Sequence, residues 1–250
     1  MGSGPPPPAT LIADVFAPAR RPDHRQTAAG LSAAPPSVDW AAMPDRVVRD
    51  FPLFPLGIVA LPHELVPLHI FEERYRTMIG ECLERGSEFG IVWTADDGMR
   101  PIGCAMEVAE VLERMDDGRM NILTRGTRPF RIVDEQDDLP YPAGTVEFLL
   151  DKEETTDEGT ADSAHEAYNE LVEQATDRTL EPEELDAMSA YQMAATVDFG
   201  LEAKQGLLDL RSENARLRLV ARLFRAAIKR LAFIERAEER ARSNGKVRFG

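Results

Sequence analysis

The sequence predicts an α+β fold: a small, closed or partly closed β-barrel with one inserted helix, followed by a C-terminal helical bundle. Three observations carry this prediction. Residues 48–150 consist mostly of short apolar runs cut by proline and turn residues, a pattern of short strands. One helical period, between Phe71 and Gly86, interrupts them. From about residue 160 the periodicity changes to that of helices and stays there to residue 242.

In chain order, residues 1–46 are rich in Pro, Ala and small polar residues without a sustained period, which predicts a disordered arm. A β domain over 47–152 opens with "FPLFPLGIVALP", whose Pro52, Pro55 and Pro62 suit edge strands and turns. "ELVPLHI" is a further strand. In "FEERYRTMIGECLERG", Phe71, Tyr75, Met78, Ile79 and Leu83 recur at helical spacing, acids occupy the first turn and Gly86 is the stop. "EFGIVWT" is a buried strand, and "IGCAMEVAEVLERM" with "RMNILTRG" is a hairpin turning at Asp117-Gly118. "RPFRIVDE" and "AGTVEFLL" are the last strands. The helical bundle spans 153–242, before a tail at 243–250. Its expected helices are "HEAYNELVEQA", a single helix from Pro182 to Gly200, "EAKQGLLDL", and a long helix capped by Ser212. That last helix carries Leu217, Val220, Leu223, Phe224, Ile228, Leu231 and Ile234 along one stripe.

The 250 residues are 43% hydrophobic, enough for a sizeable core. Two cysteines, Cys82 and Cys104, form neither a disulfide framework nor a paired ligand motif, which suits a reducing cytoplasm. No apolar run reaches a membrane span, and "TLIADVFAPA" lacks the layout of a signal peptide. The net charge of −15 argues against a general nucleic-acid binder. That charge is uneven: Asp134–Asp186 holds nineteen acids and two bases, Arg211–Arg248 twelve bases and four acids.

His63-Glu64 begins like the His-Glu-x-x-His zinc motif, but the position of the second ligand is Pro67. His69 would lie about 20 Å from His63 along an extended strand. No metal ligands, cofactor site or catalytic residues are therefore assigned.

"FPLFPLGIVALPHELVPLHIFEERYRTMI" resembles the opening of the LON substrate-binding domain of ATP-dependent Lon proteases. The residues carrying the likeness are Pro52, Leu53, Pro55, Leu56, Pro62, Pro67, Leu68, Phe71, Glu72, Arg74 and Tyr75. "IGCAMEVAEVLERMDDGRMNILTRGTRPFRI" and "LEAKQGLLDLRSENARLRLVARLF" are similar to later segments of that domain, so the likeness covers about 48–233. It implies a PUA-like β part and a separate helical bundle. It also implies a non-catalytic module that binds unfolded or partner polypeptides. The 250 residues hold no phosphate-binding Gly-x-x-x-x-Gly-Lys-Ser/Thr loop and no serine paired with a lysine, Lys204 being expected on an exposed helix face. A free-standing, cytoplasmic recognition module is expected, with an RNA-binding PUA-like protein as the alternative.

Leu61, His63 and Leu65 are expected to border an open surface where the chain turns, while Ile58 and Val59 are expected in the core. Glu72, Glu73 and Arg74 are expected to project from the corner where strand becomes helix. These six, Leu61, His63, Leu65, Glu72, Glu73 and Arg74, form the candidate partner-binding set.

Overall fold

The computed structural model describes residues 46–176 and 178–244, and for 234, 235, 238, 239 and 241–244 the backbone alone. The arm expected over 1–46 lies outside the described residues except for Arg46, and so does the tail from 245 onward.

Seven strands form among the described residues: β1 (Val47–Leu56), β2 (Leu65–Ile70), β3 (Phe89–Ala95), β4 (Gly98–Met99), β5 (Ile102–Arg114), β6 (Met120–Gln136) and β7 (Ala143–Phe148). They hydrogen-bond in the order β1-β7-β6-β5-β3-β4, with β2 on β6, and every pairing in that path is antiparallel. A parallel pairing of β1 with β3, Leu53 against Gly90 through Leu56 against Trp93, joins the first strand of the path to the one before its last.

That pairing corrects the edge-strand expectation for "FPLFPL", because β1 has neighbours on both sides. Its prolines are tolerated because β1 changes neighbours along its length. Pro52 precedes the β3 ladder, which starts at Leu53, and Pro55 follows the β7 ladder, which ends at Pro52. "RMNILTRG" and "RPFRIVDE" are likewise one strand, β6, bent by bulges rather than broken. The hairpin turns as expected. Gly118 N–H donates to Met115 O at 2.9 Å and Gly118 takes φ 83°.

The two sheet faces carry different cores. Phe51, Leu53, Val92, Ala105, Phe130, Val146 and Phe148 pack on one, with Phe51 edge-on to both Phe130 and Phe148. On the other, Phe54, Phe89, Ile91, Cys104 and Met106 join the inserted helix α1 (Glu73–Arg85) through Tyr75, Met78, Ile79 and Cys82. α1 ends at Gly86 in the left-handed region, φ 61°. Phe71, assigned to this helix by its period, precedes it and is 59% exposed.

The helices α2 (Glu158–Thr176), α3 (Pro182–Asp186), α4 (Ala190–Ala194), α5 (Leu201–Asp209) and α6 (Glu213–Asn244) extend that second core without interruption. α2 starts ahead of the apolar period because Asp157 caps it, accepting from Thr160 N–H at 2.8 Å. The single helix expected from Pro182 to Gly200 is instead two. Ser189 caps α4 reciprocally with Gln192, and His165 Nε2 lies 3.1 Å from Met188 O, fixing the break. Ser212 caps α6 through Ala215 N–H at 3.1 Å. Leu217, Val220, Phe224 and Ile228 are buried as the stripe requires, and Leu223 and Leu231 half-buried; the side chain of Ile234 lies outside the description.

Candidate functional site

The segment Leu61–Arg74 is built around a corner. Glu64 holds it from within: one carboxylate oxygen accepts from Leu61 N–H at 2.9 Å, the other pairs with Lys204 Nζ, and that ammonium also donates to Val59 O at 3.3 Å. The opposing strand completes the seat. His63 N–H donates to Gly126 O at 2.8 Å and Gly126 N–H to Glu64 O at 2.9 Å. Any side chain on Gly126 would collide with the Leu61 carbonyl.

Two expectations are corrected here. Leu61 is fully buried, not at an open surface, because this seat turns it into the core. Ile58 is only half-buried, packed against the core from outside, whereas Val59 is buried as expected. His63 is exposed and takes φ 69°, a left-handed conformation for a residue with a Cβ. Although the residue as a whole is exposed, partial desolvation of its ring, with the Arg125 charge second, holds the imidazole below the ordinary 6.5.

Beyond the corner, β2 pairs only with β6 among the described strands. Its alternation places Leu65, Pro67 and His69 on the exposed face, and Val66 and Ile70 in the core. Opposite them on β6 stand Arg125, which is exposed, and Leu123 and Asn121, which are half-buried. A groove of about 610 Å³ opens there, lined by Pro67, His69, Leu112, Glu113 and Asn121. His69 Nδ1 lies 2.6 Å from Asn121 Oδ1, and Asn121 Nδ2 donates to Glu113 Oε2 at 2.9 Å, a polar brace across three strands. Phe71 stacks on His69 at 5.8 Å between ring centroids. Leu65 (55% exposed), Phe71 (59%) and Leu112 (53%) are three of the seven large apolar side chains exposed among the described residues, and they share this face.

At the end of β2, Glu72 is the N-cap residue of α1 and pairs with Arg74 at 2.9 Å, whose guanidinium lies 4.5 Å over the Tyr75 ring. Glu73 is exposed in the first turn. The corner charges thus largely engage one another, and the apolar face beside them is the open feature.

The family model for the substrate-binding domain of ATP-dependent protease La (LON) matches residues 50–225. The chain belongs to the LON substrate-binding family. Its fold is similar to the crystal structure of a Lon N-terminal domain protein from Xanthomonas campestris, at 23% identity and TM-score 0.53, covering 67% of this chain and 94% of that one. The N-terminal domain of a Mycobacterium avium complex Lon protease also matches, at 18% identity and TM-score 0.49, covering 70% and 97%.

Within this LON domain, Lys204 is not on an open face as expected but sunk against Glu64, joining α5 to the corner. Both cysteines are free and buried, and burial pushes the Cys104 thiol far up. Among the described residues, no three His, Cys, Asp or Glu side chains come together as a metal-binding group, and no helix is long and apolar enough to cross a membrane. Of the six candidate residues, His63, Leu65, Glu73 and Arg74 are exposed, Glu72 is half-buried and Leu61 is inside. Phe71, Leu112 and Asn121 lie at this face with the candidate residues and were not anticipated. Strict alternation from Leu65 to Phe71 could have found the first. The other two depend on strand register, which no local pattern reveals.

Proposed function

We propose that this LON domain is a non-catalytic recognition module that binds unfolded polypeptide segments on the β2 face. The observation that carries the reading is the concentration of Leu65, Phe71 and Leu112, all more than half exposed, around a groove walled by Pro67 and His69. An extended apolar segment fits such a surface, and Glu113 at the groove favours segments with interspersed basic residues. RNA is the weaker reading because the face has no surplus positive charge: Arg125 is paired with Glu107 at 2.8 Å and Arg74 with Glu72. The tie of Lys204 to Glu64 supports the absence of a lysine nucleophile. We read the sheet as a PUA-like barrel closed by β1 against β3, residues 47–152 and 153–242 as two domains, and the cytoplasm as the compartment, which the free cysteines suit.

Binding of a chemically unfolded, fluorescently labelled client tests the proposal. Leu65→Asp with Phe71→Asp weakens binding at least about tenfold, about 1.4 kcal/mol, while melting is unchanged. Full affinity in that variant would refute the assignment of the face.

A further inference from the structure

A second concavity, of about 630 Å³, lies where α6 passes the first turns of α2 and the end of α5. Arg218, Arg222 and Arg225 reach it from α6 at i, i+4 and i+7, and among the described residues no acidic side chain lines it. Arg225 Nη2 is anchored by Ser163, donating to its carbonyl at 3.1 Å and its Oγ at 2.7 Å. Arg218 is within electrostatic reach of Glu154 and Asp157. Those carboxylates are otherwise engaged, Glu154 by Ser212 Oγ and Asn214 N–H, Asp157 by Thr160 N–H. Arg222 makes no hydrogen bond or ion pair among the described residues. The floor is apolar, from Leu210 and Leu219, and Gly206 leaves it open, since a Cβ there would reach Leu219 only at 4.0 Å.

Like charges at three- and four-residue spacing repel along a helix, so this cluster does not serve α6 itself. The end of α2 is already capped by Asp157, so the hollow draws its positive character from the guanidiniums rather than from a helix terminus. In a chain of net charge −15, it is a local reversal of sign.

We propose that this hollow binds an extended acidic polypeptide segment with carboxylates on alternate residues. The helical rise sets Arg218 and Arg222 about 6 Å apart along the axis. Side chains on one face of an extended chain repeat about every 6.6 Å. Successive carboxylates therefore meet successive guanidinium forks, each able to bond bidentately, with the intervening backbone over the apolar floor. A nucleic acid would bring a continuous run of phosphates past Glu154 and Asp157, which lie within electrostatic reach of Arg218, whereas two alternate carboxylates need only Arg218 and Arg222. The site is distinct from the apolar β2 face and opposite to it in chemistry.

Fluorescence anisotropy with a short labelled peptide alternating Glu and Ala tests it on the full chain, at low and at physiological salt. The Glu-Ala peptide binds, its Gln-Ala counterpart does not, and Arg218→Gln with Arg222→Gln weakens binding at least about tenfold without lowering the melting temperature. Leu65→Asp leaves this binding unchanged. Equal binding of both peptides, or full affinity in the double arginine variant, overturns the proposal. So does a loss caused by Leu65→Asp, which would place the peptide on the β2 face. Single-stranded RNA of the same length that binds tighter and displaces the peptide overturns it in favour of a nucleic-acid site.

Discussion

His63 sits at φ 69° with its imidazole pKa lowered by partial desolvation and by Arg125, and both facts make it replaceable in a predictable direction. Asn tolerates the left-handed region and β-branched residues do not, so His63→Val lowers stability by about 1–2 kcal/mol in urea unfolding while His63→Asn does not. The depressed pKa means that the unfolded chain binds the proton more readily. His63 therefore costs no stability above pH 6.5, and stability falls as pH drops below 6.5 toward the folded value. His63→Asn removes that component of the pH dependence, and an unchanged profile in the variant would show that the imidazole does not contribute. Lys204 and Glu64 are a mostly buried pair, so removing one partner strands a charge. Lys204→Met alone costs about 3–5 kcal/mol, and Lys204→Met with Glu64→Met recovers most of it. A double variant no more stable than the single would assign the loss to packing of the corner instead.

At the scale of elements, what could be read locally was read: the helix stopped by Gly86, the Asp117-Gly118 turn and the Ser212 cap each depend on one residue's conformational preference. The failures are elements decided by distant partners. β1 looked like an edge because its prolines are visible in sequence, whereas its change of neighbour at Leu53 is not. Leu61 looked exposed because the chain turns there, but Gly126 and Lys204, far along the chain, draw it inward. The break between α3 and α4 lay beneath an unbroken apolar period, and the clue, Ser189 three residues before Gln192, is a capping box that reads equally well as a mid-helix polar pair. That cap is worth about 1 kcal/mol, so Ser189→Ala lowers stability by roughly that amount in urea unfolding. No change would mean that His165 and packing alone set the break.

For the whole molecule, one core runs from the sheet through α1 into the helices, so the corner at Leu61–Glu64 is held by both parts. The apolar β2 face is the open end of that construction: among the described residues β2 has a single strand neighbour, and the face is propped by the His69–Asn121–Glu113 brace. Its family was legible from the residues around Phe71, and its binding face only from register. Hydrogen–deuterium exchange, with and without saturating unfolded polypeptide, examines that face directly. The account predicts slowed exchange in residues 65–71 and 112–123, with the buried strands β1 and β7 unchanged. Protection confined to other segments, with 65–71 exchanging as in the free protein, would contradict it.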